Sequence, residues 1–106
     1  MIKCLKHLVL FKFLDNTPGN KIDEIVQEFF ELKNKISVIH DIEWGKDVST
    51  EQKNQGYTHC FCLTFLNQEG RDEYLPHPEH KKFGNILKPY LEKVLVFDYV
   101  SNPING

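Results

Sequence analysis

No run of apolar residues in this chain of 106 approaches the ~20 needed to cross a bilayer. The opening segment Met1–His7 is broken by Lys3 and Lys6, so it offers no hydrophobic stretch for a secretory leader. Basic excess is missing too. Thirteen Lys and Arg face 15 Asp and Glu, for a formal charge of −2, and such a balance gives no field for displacing counterions from nucleic acid. Cysteine is scarce: three cannot close into intramolecular disulfides without a remainder, and Cys60-Phe61-Cys62 lacks the spacing of a redox Cys-x-x-Cys. Phosphate-loop, dinucleotide, EF-hand, His-Glu-x-x-His and zinc-finger patterns are absent, as are repeats and low-complexity tracts. The expectation is a cytoplasmic, intracellular protein with neither membrane nor nucleic-acid partners. Its chemistry, if any, must come from side chains gathered by the fold.

What is present suffices for one core. Apolar residues make up 41% and aromatics 12%, and this length suits a single domain over 1–106, with a core at 6–99 and a tail at 100–106. His7–Phe13 alternates with β-branched and aromatic residues and meets the turn cluster Asp15–Gly19, so it reads as a strand. From Asn20 to Lys35 the period becomes helical: Ile22, Ile25, Val26, Phe29, Leu32 and Ile36 recur at steps of three and four. Thr17 with Pro18, or Asn20 with Asp23, supplies the start signal. Val38–Trp44 reads as a second strand closed by Gly45, Lys46–Gly56 as a polar loop, and Tyr57–Phe65 as a third strand. Asn67 caps a short helix to Tyr74; Pro78 opens another to Leu91; Val94–Tyr99 is the last strand.

The order β-α-β-β-α-β predicts an α+β, ferredoxin-like sandwich with a four-stranded antiparallel sheet and the helices on one face. Yet the strands are apolar on both faces, with Leu8 and Leu10 opposing Val9 and Phe11, and Leu95 and Phe97 opposing Val94 and Val96. Leaving such side chains wet costs about 1.5–3 kcal/mol each relative to burial. A second copy of the sheet is the simplest cover, which predicts a homodimer joined through its sheet faces. Cys60 and Cys62 share a face, either as a thiol pair or as two small buried hydrophobes.

His7 starts the first strand, His59 lies near the start of the third, and His77 and His80 flank the second helical segment, with Asp98 ending the last strand. Tyr, His and Asp brought together make a general acid–base site, in which His takes a proton, Asp orients its ring and Tyr donates to a developing oxyanion. Two alternatives remain open for these residues: polar caps on a small core, or a zinc site built on His77-x-x-His80 with His7 and His59.

His7–Phe13, Trp44–Ser49, Gly56–His59, Tyr74–Phe83 and Lys93–Tyr99, in this order, resemble the stress-responsive dimeric α/β-barrel (Dabb) family. The resemblance runs from Lys6 to Tyr99. It implies a ferredoxin-like subunit whose sheet pairs with another to form a barrel, in a family that spans heat-stable stress proteins of plants and a plant polyketide cyclase. The function implied is a small dimeric stress-responsive protein of unassigned role, with a cyclase-like lyase acting on a small β-keto thioester as the alternative. By that resemblance His80 is the base, Tyr74 polarises the substrate, Asp98 orients His80, and His7 and His59 are polar groups of the pocket. Val26, Phe29 and Phe61 stand where the cyclase wall carries a Phe, a Tyr and a Val, so Phe61 is expected to intrude on the space for an alkyl chain. The ligand implied is small and apolar or polyketide-like. A structural cation such as Mg2+ is implied at the end of the first helix, held by backbone carbonyls of Lys33, Ile36, Ser37 and Ile39.

Overall fold

Strict alternation of buried and half-buried residues defines the central strand. β1 (Leu5–Phe13) sinks Leu5, His7, Val9, Phe11 and Phe13 on one face and leaves Lys6, Leu8, Leu10 and Lys12 on the other. The computed structural model describes residues 3–102; the first two residues, and the expected tail from residue 103 onward, lie outside the described residues. β1 is followed by α1 (Gly19–Lys35), β2 (Asp41–Lys46), β3 (His59–Phe65), α2 (Gln68–Tyr74), α3 (Pro78–Leu87), a 3-10 turn over Lys88–Tyr90 and β4 (Leu91–Val100). The sheet is antiparallel throughout, in the order β2-β3-β1-β4. This is the expected ferredoxin-like α+β architecture. α1 buries Ile25, Phe29 and Leu32, α2 buries Tyr74, and α3 buries Phe83 and Leu87.

Local chemistry sets the boundaries. Asn67 caps α2 by accepting the Gly70 N–H at 2.9 Å, and Pro78 opens α3, where a missing N–H costs nothing. Several boundaries differ from the pattern-based reading. β2 starts at Asp41 rather than Val38 because Ile39 is buried in the connection, and it runs through Gly45, which pairs with Cys60 instead of closing the strand. β3 starts at His59 rather than Tyr57, since Gly56 carries a left-handed φ of +85° in the turn just before it. α3 ends at Leu87 because Pro89 cannot donate to the helical ladder, so β4 begins at Leu91, three residues earlier than its apolar run suggested.

β4 is an edge strand exposed on both faces. Val94, Val96 and Asp98 oppose Phe11, Val9 and His7 on the helix side; Leu95, Phe97 and Tyr99 oppose Leu10, Leu8 and Lys6 on the outer side. Phe97 is 57% exposed and Leu95 40%, so the outer stripe is uncovered within one subunit. Among the described residues no helix is long and apolar enough to cross a membrane.

Candidate functional site

Between the inner face of β1–β4 and the helices lies an apolar cavity of about 330 Å³. β1 contributes His7, Val9 and Phe11, α1 contributes Phe29, and β4 contributes Leu91, Val94 and Val96. Tyr74 and Leu75 at the end of α2, with His80, Phe83 and Leu87 of α3, form the opposite wall, and Lys88 stands at its rim. The cavity persists because β4 projects past the helices' cover, leaving Val94 and Val96 about half exposed on the helix side.

Three polar groups enter this apolar space. Tyr74 is fully buried and its hydroxyl has no hydrogen-bond partner among the described residues. An unsatisfied buried hydroxyl costs about 1–3 kcal/mol. Burial also pushes the phenol far above its ordinary value, so Tyr74 stays protonated and can only donate to, or accept from, a neutral or anionic guest. Its ring contacts two imidazoles, His80 at 4.3 Å and His7 at 5.8 Å between centroids.

His80 Nδ1 lies 2.9 Å from the Leu75 carbonyl oxygen. A carbonyl only accepts, so Nδ1 carries the hydrogen and the neutral ring keeps its lone pair on Nε2. His7 is held by a different device: its Nδ1 lies 2.6 Å from Asp98 Oδ1, and Arg71 Nη1 donates to Asp98 Oδ2 at 2.8 Å. This corrects the expectation that Asp98 orients His80. Asp98 and His7 are direct partners in the β1–β4 register, whereas the His80 ring nitrogen is already satisfied by Leu75.

The remaining expected residues divide. Phe29 lines the cavity, but Val26 is only packed against the core and Phe61 lies outside the lining. Phe61 does not intrude on the guest space. It stacks behind Phe29 at 4.3 Å, on the side away from β4, and so props the wall. His59 is likewise elsewhere, buried between Trp44 and Phe13 with Nδ1 2.7 Å from Thr58 Oγ1. Burial, and secondarily the Lys46 ammonium, lower its proton affinity. It borders a separate groove of about 480 Å³ with Trp44, Tyr57 and Cys60. Cys60 and Cys62 are free, half-buried on the outer face, and burial raises both thiols, which keeps them protonated.

Among the described residues no three His, Cys, Asp or Glu side chains converge as a metal site. His77 is instead spent as the cap of α3, its Nδ1 accepting the Glu79 N–H at 3.1 Å. At the end of α1, the Ile36 carbonyl already accepts the Ile39 N–H at 3.2 Å, and the Lys33 ammonium lies 3.7 Å from the Asp41 carboxylate. Carbonyls of Lys33, Ile36, Ser37 and Ile39 would hold a cation by backbone dipoles alone, poor ground for Mg2+, which dehydrates reluctantly.

Sequence reasoning missed Arg71. The signal available was its i, i+3 spacing from Tyr74, which puts both on one face of α2.

The family model described as "Stress responsive A/B Barrel Domain" matches residues 5–101. The stress-response A/B barrel domain-containing protein HS1 of Arabidopsis thaliana is 43% identical over 95 residues, spanning 90% of this chain and 87% of that protein. Olivetolic acid cyclase of Cannabis sativa is 38% identical over 95 residues, spanning 90% and 94%. The crystal structure of At3g17210 from Arabidopsis thaliana superposes with a TM-score of 0.90 at 41% identity, covering 94% of this chain and 97% of that one. A dimeric ferredoxin-like protein of unknown function from Bacteroides fragilis does so with a TM-score of 0.71 at 32% identity, covering 91% and 94%.

Proposed function

The chain belongs to the stress responsive A/B barrel domain family, and from that premise we propose that it works as a homodimer, joined through its outer sheet faces, whose cavities perform acid–base chemistry on a small apolar carbonyl compound. One observation carries the chemical part: an unpartnered, fully buried tyrosine hydroxyl whose ring contacts two imidazoles in an otherwise apolar cavity. Such a hydroxyl is at its most favourable with a guest's carbonyl oxygen against it. The dimer is supported by the uncovered Leu95–Phe97–Tyr99 stripe beside Leu8 and Leu10, and by the dimeric state of the Bacteroides fragilis protein.

The reaction class that suits these groups is an intramolecular aldol closure of a β-keto thioester, the cyclase-like reading. His80 Nε2 removes a proton from the carbon between two carbonyls, and the enolate oxygen accepts the Tyr74 O–H. That carbon then bonds to a distant carbonyl of the same chain, and the resulting alkoxide recovers the proton from His80. The Leu75 carbonyl fixes the tautomer in which Nε2 is free to act. Relatedness to olivetolic acid cyclase adds weight to this class. A cavity of about 330 Å³ suits a short-chain rather than a long-chain guest.

The test is incubation with short-chain 3,5,7-trioxo acyl thioesters, in which C2 can close a six-membered ring on the C7 carbonyl, and mass spectrometry of the cyclised product. The expected result is turnover by the wild type and its loss in His80→Ala and Tyr74→Phe, with unchanged circular dichroism. Equal turnover by His80→Ala removes His80 as the base. Absence of wild-type turnover over the chain-length series removes the cyclase reading and leaves family membership and the dimer standing.

A further inference from the structure

Arg71 is the chain's single arginine and projects from α2 toward the edge strand. Its guanidinium is forked between two carboxylates, Nε on Asp72 Oδ1 and Nη1 on Asp98 Oδ2, both at 2.8 Å. Asp98 in turn presents its other oxygen to His7 Nδ1 at 2.6 Å. The three side chains form a line from a helix, through the edge strand, to a histidine that is 4% exposed. Asp98 is itself only 23% exposed, so its charge depends on the guanidinium for compensation.

We propose that Arg71 is a positioning residue: acting through Asp98, it holds His7 in the tautomer that leaves Nε2 free beside Tyr74. The proposal extends the acid–base reading by giving the cavity a second oriented imidazole, and it rests on that reading only for what His7 then does. An ionised carboxylate only accepts, so Asp98 requires the hydrogen on His7 Nδ1. The ring makes T-shaped contacts with Phe65 and Tyr74, centroids 6.2 and 5.8 Å apart, and the Tyr74 hydroxyl makes no hydrogen bond to it, so Asp98 is the partner of Nδ1. Nε2 has no partner among the described residues, and His7 lines the cavity.

His7 and His80 therefore reach the same state by different means. Each donates Nδ1–H, one to a carboxylate and one to a carbonyl, and each leaves Nε2 without a partner among the described residues while its ring contacts Tyr74. A cavity with two such imidazoles offers a second group that can give or take a proton beside His80. Arg71 also lies one turn before Tyr74 on α2, so one short helix carries both residues.

The test uses the full chain, labelled with ¹⁵N at histidine, and needs no substrate. Long-range proton–nitrogen correlation at about pH 8, above the ordinary imidazole range, reads the tautomers of His7 and His80 in one spectrum. In the wild type both are expected as the Nδ1–H form. In Arg71→Met, His7 is expected to become a mixture of tautomers while His80, anchored on Leu75, is unchanged; Asp98→Ala is expected to do the same. Arg71→Lys, which restores the charge, is expected to return most of the Nδ1–H form. A wild-type His7 found as Nε2–H or doubly protonated overturns the proposal, as does an unaltered His7 in Arg71→Met. If Arg71→Met disturbs both rings alike, or a folded Arg71→Lys behaves as Arg71→Met does, the effect is a loosened fold and the positioning role falls.

Discussion

Asp98 faces His7 directly across β1 and β4, with Oδ1 2.6 Å from Nδ1. The pairing follows from register. Opposed residues of an antiparallel ladder share a face, so Asp98 on the inner side of β4 meets the imidazole on the inner side of β1 that borders the cavity. The result separates two tasks that a single Asp–His pair would combine. His80 is oriented by a backbone carbonyl, a neutral acceptor for its Nδ1–H. His7 is tethered by an ionised carboxylate that a guanidinium balances. The Tyr74 ring contacts both imidazoles.

The unpartnered hydroxyl of Tyr74 leads to a prediction in which stability and function move in opposite directions. Tyr74→Phe removes a buried donor without disturbing the ring contacts with Phe65, His7 and His80. Relief of about 1 kcal/mol is expected, which raises Tm by about 4–8 °C for a domain of this size. Binding of a carbonyl guest is expected to weaken by roughly tenfold, the worth of one hydrogen bond. Calorimetry of the ligand-free protein together with titration of a short β-diketone checks both. A fall in Tm means that the hydroxyl has a partner after all.

Much of this was legible in the sequence, for reasons that can be named. Alternation at His7–Phe13 and at His59–Phe65 fixes which side chains face the helices, and the Asn67 and Pro78 signals place both later helices. Two-sided apolarity of Leu95 and Phe97 against Val94 and Val96 is visible without coordinates. Partner assignments were not legible. Whether Asp98 meets His7 or His80 depends on the β1–β4 register, which alternation alone leaves open, and Phe61 lies behind Phe29 because the cavity opens toward β4 rather than β3. Arg71 escaped notice because a lone basic residue among the acidic Glu69, Asp72 and Glu73 of a seven-residue helix has the look of a solvated face.

Phe97 tests the assembly. It is 57% exposed on the outer face and opposes Leu8, so in a dimer joined through that face two copies of it are buried. Fully burying one such side chain is worth about 1.5–3 kcal/mol. Phe97→Asp forfeits that twice by symmetry and adds a charge to an apolar surface, so the dissociation constant is expected to rise at least roughly a hundredfold. Light scattering after size-exclusion chromatography, over a dilution series, reads this directly. A Phe97→Asp variant as dimeric as the wild type places the interface elsewhere.

His59 makes the pH dependence of stability predictable in sign. Burial beside Trp44 and Phe13 is the main cause that lowers its proton affinity below the ordinary imidazole value, and Lys46 adds to it, against a smaller opposing pull from Asp23. In the unfolded chain the ring takes a proton near pH 6.5, about the free value. Below that pH the unfolded state binds the extra proton and the folded state resists it, so stability falls as pH falls; well above it both forms are neutral and His59 contributes no slope. The urea midpoint is therefore expected to be lower at about pH 5.5 than at about pH 7.5. His59→Phe keeps an aromatic ring against Trp44 and Phe13 while deleting the titration, and it should remove part of that difference at equal protein concentration. If the two midpoints stay as far apart in His59→Phe as in the wild type, the acid sensitivity originates in other groups and the buried His59 ring plays no part in it.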